Sequence, residues 1–166
     1  MRQLFTMACL LVLVSGVCFC GRSTADDKAK PAFKISDDEQ GILDLTNKAR
    51  EKEKLPPLKP NEVLFKVARA HSANMAKQEK MEHVLDDKNP ADRVKAAGYK
   101  YSSVGENVAS GNGWSLEEVF QVWMDSEPHK KNILNKDFRE IGIGIARDSK
   151  DRLYYTQVFG TSRRKQ

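Results

Sequence analysis

The chain has 166 residues, 40% of them hydrophobic and 31% charged, with a mean hydropathy of −0.59. That is enough for one compact domain with extensions, too little for two catalytic domains, and too polar for a multi-span membrane protein. The 28 Lys and Arg residues against 23 Asp and Glu give a net charge of +5, too mild and too evenly interleaved to argue for nucleic acid as a partner.

Met1-Arg2 leads into an apolar run from Leu4 to Cys20 and then Ser23-Thr24-Ala25. A basic start, an apolar centre and small residues before the cut are what an export signal needs, so residues 1–25 read as a signal peptide. The rest is then exported, periplasmic or extracellular. Lipidation at Cys18 or Cys20 is the weaker alternative, because the residues before each suit it poorly. Cleavage removes Arg2 and Arg22 but no acid, so the 28 basic residues fall to 26 against 23 acids. All three cysteines, Cys9, Cys18 and Cys20, leave with the signal, and no transmembrane span remains. Disulfides, cysteine nucleophiles and thiolate metal sites are thereby excluded from the remainder.

Residues 26–35 are charged and aperiodic and read as a flexible leader. Ser36-Asp37-Asp38-Glu39 is a capping box that opens a first helix to about Glu53, burying Ile42, Leu45 and Ala49. Leu55-Pro56-Pro57-Leu58-Lys59-Pro60 breaks it, and Asn61 caps a second helix to about Lys80, with Leu64, Val67, Ala68, His71 and Met75 on its buried stripe. Pro90 starts a short helix over Ala91–Ala97 that Gly98 ends. Val104–Ala109 reads as a strand and Gly111-Asn112-Gly113 as a turn. A second capping box, Ser115-Leu116-Glu117-Glu118, opens a helix with Leu116, Val119, Phe120 and Trp123 on one side, and Pro128 restarts a short helix from His129 to Leu134. Ile141, Ile143 and Ile145 alternate with Gly142 and Gly144, then Leu153–Phe159 is rich in strand formers, so the two segments predict a hairpin whose glycine face lets a neighbour pack close. The ordered domain is expected over 36–160, with 161–166 as a basic tail. Helices in front of antiparallel strands predict an α+β domain.

Three histidines occur. His71 sits among apolar residues and reads as a hydrogen-bonded core histidine, whereas His83 and His129 lie in a loop and at a helix start, where an imidazole is free to meet a ligand.

Ala70-His71-Ser72-Ala73-Asn74-Met75-Ala76, His83, Gly105-Glu106-Asn107-Val108-Ala109, Trp123 to Leu134, Ile141-Gly142-Ile143-Gly144 and Tyr154 to Phe159 occur in that order. Together they resemble the bacterial branch of the CAP superfamily, which includes cysteine-rich secretory proteins, antigen 5 and plant pathogenesis-related proteins. The resemblance runs from about Ile42 to Phe159. It implies a three-layer α-β-α sandwich with a small antiparallel sheet and a shallow cleft of two histidines and two acids. His83, Glu106 and His129 fill three of those places. One turn after Trp123, where the family's second acid stands, this chain has Ser126, which leaves Asp125 or Glu127 as the fourth member. Glu118 serves its capping box. Glu106 is either a direct ligand or a buried acid that pins the cleft, and Asn107 reads as a loop-fastening amide.

Neutral imidazoles at His83 and His129 suit Zn²⁺ or a similar divalent cation, and two histidines make an open, weak site. The preferred expectation is an exported binding module whose cleft takes a small-molecule, lipid or envelope ligand. A metal-assisted hydrolase resembling a protease is the second, and a structural envelope adaptor the third. No nucleophile elbow and no HExxH motif is present, which favours binding over catalysis.

Overall fold

The computed structural model describes residues 33–163. The signal peptide, the two candidate lipidation cysteines, most of the leader and the last three residues lie outside them. The elements are α1 (Asp37–Lys52), β1 (Lys59–Pro60), α2 (Glu62–Gln78), α3 (Pro90–Ala96), β2 (Tyr101–Gly111), α4 (Leu116–Asp125), α5 (Glu127–Ile133), β3 (Glu140–Arg147) and β4 (Leu153–Ser162). Among the described residues no helix is long and apolar enough to cross a membrane.

The strands form one sheet in the order β1-β3-β4-β2. β3 and β4 make the expected antiparallel hairpin, and β2 runs antiparallel along β4 from Tyr101 to Gly111, longer at both ends than Val104–Ala109. The sheet is not purely antiparallel, because β1 pairs parallel with β3. This two-residue strand hides in the proline run. Pro60 lacks an N–H, which an edge strand tolerates, and the flanking amides of Lys59 and Asn61 bond Arg139 and Ile141 carbonyls at 2.9 Å each.

Alternation along the strands sorts the side chains into two layers, giving the α-β-α sandwich. Ile141, Ile143, Tyr155 and Phe159 join Ile42, Val119, Trp123 and Ile133, so α1, α4 and α5 cover one face. Val158 packs with Leu64, Val67 and Ala68, and Tyr154 with Met75 and Ala76, so α2 covers the other. Gly142 and Gly144 explain how closely α2 lies. A Cβ on Gly142 would stand 2.0 Å from the Leu64 carbonyl carbon, and one on Gly144 2.3 Å from that of Ala68.

Three expectations differ in detail. On α1 Ile42 is buried, but Leu45 and Ala49 are half-buried, while Thr46 and Arg50 are fully enclosed. Thr46 donates to the Ile42 carbonyl at 2.7 Å, which satisfies its hydroxyl inside the helix. Arg50 donates to the carbonyls of Pro56 (3.0 Å), Ile133 (2.8 Å), Asn135 (2.9 Å) and Phe138 (3.4 Å). Packing also starts before Ser36: Phe33 meets Phe65 edge-on at 5.2 Å, and Arg69 lies 5.4 Å from each ring. At the other end β4 runs through Ser162, and the Arg163 amide bonds Lys100 at 2.8 Å, so the first residues of the expected tail belong to the sheet.

Candidate functional site

β2 is an edge strand, and the candidate residues gather around its free edge from both layers. Alternation turns Glu106 toward the α2 layer and Asn107 toward the α1–α5 layer. Glu106 is buried, yet its carboxylate has a partner on each oxygen. His83 Nδ1 lies 3.0 Å from Oε1, and Arg93 Nη2 donates to Oε2 at 2.6 Å. His71 Nε2 stands 3.7 Å from Oε1 and 2.9 Å from the Glu82 carbonyl. His71 is therefore a hydrogen-bonded core histidine that also borders the site, and burial holds its pKa below the usual histidine value.

Arg93 is the residue that sequence reasoning passed over. It projects from a seven-residue helix, where spacing alone makes it one more solvated cation. In the fold its Nη1 bonds the carbonyls of His83 (3.0 Å) and Lys88 (2.7 Å) while Nη2 holds Glu106. One guanidinium thus ties the His83 loop to the edge strand, using the fixed donor fork that suits it to several planar acceptors.

His129 comes from the opposite layer, and its ring centroid lies 6.5 Å from that of His83. Asn107 fixes its backbone, as a loop-fastening amide would. Its Nδ2 donates to the His129 carbonyl and to Gln157 Oε1, both at 3.0 Å, and its Oδ1 accepts from Asn132 Nδ2 at 2.9 Å. Gln157 passes the chain on to Thr46 at 2.9 Å. The free edge of β2 is also covered, with Asn132 donating to the Glu106 carbonyl (3.1 Å) and the Trp123 indole to that of Val108 (3.2 Å). Edge carbonyls that would otherwise invite another strand are thereby satisfied. Burial, and then the nearby His83, keep the His129 pKa below the usual value, so this imidazole is neutral at pH 7.

Asp125 and Glu127 stay apart from this group. Asp125 accepts from Gln121 at 2.7 Å and lines a separate cavity with Ala49 and Lys52 of α1 and with Glu53 just after it, and Glu127 is exposed in the first turn of α5. Among the described residues neither has a hydrogen bond or ion pair to His83, Glu106 or His129. The charged partner that Glu106 does have is a cation, Arg93.

The donor chemistry decides what the cleft can hold. A carboxylate oxygen only accepts, so His83 Nδ1 carries the proton and its Nε2 is the bare nitrogen, on a side chain 48% exposed. This is the arrangement of a carboxylate-oriented imidazole ligand. His83 and His129 are the two imidazoles that could offer nitrogens to a divalent ion here, their ring centroids 6.5 Å apart. Glu106, occupied at both oxygens, fits as the orienting group and not as a ligand. Among the described residues no three His, Cys, Asp or Glu side chains converge as a metal cage.

Similarity to known proteins agrees with this architecture. An uncharacterised protein of Bacillus subtilis, YkwD, is 41% identical over 111 residues, 66% of this chain and 43% of that protein. An uncharacterised membrane protein of the same organism, YlbC, is 33% identical over 139 residues, 83% of this chain and 38% of that protein. The chain thus spans less than half the length of both curated relatives. An extracellular SCP-domain protein from Bacillus anthracis superposes with a TM-score of 0.69 at 27% identity, covering 79% of this chain and 45% of that one. Residues 43–159, nearly all of the sandwich, match the cysteine-rich secretory protein family, and the chain belongs to that CAP family.

Proposed function

We propose that this CAP domain is an exported ligand-binding module whose cleft holds a divalent cation weakly between His83 and His129. The observation that carries the reading is the full engagement of the Glu106 carboxylate by His83 and Arg93. A general base must be able to take a proton from water, and a carboxylate clamped by a guanidinium is a poor one. That weighs against water activation and for a positioning role. Glu106 orients His83, Asn107 and Asn132 orient α5 and hence His129, and burial keeps His129 neutral and able to donate its lone pair. A bound Zn²⁺ would supply a Lewis-acidic contact for an anionic or carbonyl group of a ligand from the cell envelope or its surroundings. Export is supported by the signal-like residues 1–25 and by the extracellular SCP-domain relative.

Calorimetric titration of Zn²⁺ into the protein tests the reading. One weak site is expected, with His83→Ala and His129→Ala each weakening it at least about tenfold, as loss of one of two nitrogen ligands requires. Glu106→Gln should weaken it by about tenfold through lost orientation. Wild-type zinc binding in both histidine variants would place the ion elsewhere and leave the cleft without it.

A further inference from the structure

The turn between β2 and α4 carries an asparagine unlike the others in the fold. The chain has eight asparagines, and seven of them use the side-chain amide in at least one hydrogen bond. Asn112 is the exception: it is exposed, and among the described residues its amide has no hydrogen-bond partner. It is also the only asparagine followed by a glycine.

The fold itself demands that neighbour. Gly113 has φ +67°, in the left-handed region where a Cβ is costly, so the turn that leads from β2 to the Ser115 cap selects glycine. A Cβ built on Gly113 would meet nothing within 4 Å, and among the described residues its exposed N–H has no acceptor. The conformation that the turn needs thus leaves a backbone nitrogen unshielded and unbonded, next to an unrestrained carboxamide. Asn107, earlier on β2, offers the contrast. Three hydrogen bonds hold its amide, it is fully buried, and the β-branched Val108 shields the nitrogen that follows it.

We infer that Asn112 is a site of spontaneous deamidation in the folded protein. The Gly113 nitrogen, once its proton is lost to hydroxide, attacks Asn112 Cγ. The new N–Cγ bond closes a succinimide ring, the Cγ–Nδ2 bond breaks, and Nδ2 leaves as ammonia after taking a proton from water. Water then adds to either ring carbonyl and the ring C–N bond at that carbonyl breaks, giving aspartate or isoaspartate at position 112. The sum is one water consumed and one ammonia released, with no metal, redox partner or enzyme, so the site is independent of the histidine cleft. Each event adds a negative charge just before the N-terminus of α4, where the helix dipole favours it. The isoaspartyl product also inserts a methylene carbon into the main chain beside Trp114, whose Cδ2 lies only 2.3 Å from where a Gly111 Cβ would stand.

The intact protein is incubated at pH 7 and at pH 8, both folded and in guanidinium chloride. The tryptic peptide of residues 101–130, which holds Asn107 and Asn112, is then read by mass spectrometry with electron-transfer fragmentation, which tells isoaspartate from aspartate. Both products should appear at position 112 within days, at a folded rate within about tenfold of the unfolded one, because no hydrogen bond has to open first. The rate should rise about tenfold per pH unit, as deprotonation of the attacking nitrogen requires, and Asn107 should stay intact in the folded protein. Gly113→Ala, read in the unfolded chain where the turn no longer matters, should slow conversion at least about fivefold by crowding that nitrogen. A wider gap between folded and unfolded rates, Asn107 converting as fast as Asn112, aspartate without isoaspartate, or a rate indifferent to pH or to Gly113→Ala would each overturn the proposal.

Discussion

Replacing Arg93 by Met keeps most of the aliphatic stem and removes the guanidinium, which isolates the clamp described above. Three hydrogen bonds disappear, at 2.6 Å to Glu106 and at 3.0 and 2.7 Å to the His83 and Lys88 carbonyls. The dominant cost is the stranded carboxylate, since the Glu106 side chain is 1% exposed and that of Arg93 only 13%. Removing one partner of a buried pair typically costs about 3–5 kcal/mol. His83 remains beside Glu106 and offsets part of this, so about 3 kcal/mol is expected for Arg93→Met, measured by urea unfolding at pH 7. Glu106→Gln alone should cost less, because a neutral amide still accepts from Arg93. The double variant should be milder than the sum of the singles by at least about 1 kcal/mol, the signature of contacting groups. A cost below about 1 kcal/mol for Arg93→Met, or strict additivity in the cycle, would show that Glu106 does not depend on the clamp.

Three further outcomes follow from the packing. Gly144→Ala should destabilise by about 3 kcal/mol in chemical denaturation, because its Cβ meets α2 backbone, which cannot step aside as a side chain would. Asn107→Ala removes three hydrogen bonds at a fully buried position and should cost about 2–3 kcal/mol, with faster amide exchange confined first to α5. His71 has a pKa lowered by burial, so the unfolded chain takes up its proton first as pH falls below about 6.5. Stability should then decline toward acid by at most about 1.4 kcal/mol per pH unit from this group, and His71→Gln should flatten that part of the profile.

The helices were legible because their signals are local. Both capping boxes form as read, Ser36 with Glu39 and Ser115 with Glu118, and the alternating glycines of β3 do admit α2. What the sequence hid depends on distant partners. Arg50 and Thr46 are buried on α1 only because carbonyls and a glutamine about a hundred residues away are waiting for them, and nothing in a helical stripe announces that. Arg93 was invisible for the same reason, since its acceptors come from the His83 loop and from β2. His83 and His129 were legible as exposed-loop and helix-start imidazoles. That they approach from opposite faces of the sheet, around a strand edge, is a property of topology and not of spacing.

The Arg50 contacts also constrain when the protein can fold. This arginine is held by carbonyls 83, 85 and 88 positions further along the chain, and β4, a central strand of the sheet, is made last. During synthesis α1 therefore emerges with a cation that has only the Pro56 carbonyl within reach and lacks its three distant acceptors, and β2 and β3 must wait without the strand that pairs them both. A chain stalled on the ribosome before Leu153 should be degraded by protease along its whole length, with resistance appearing in one step once β4 has cleared the exit tunnel.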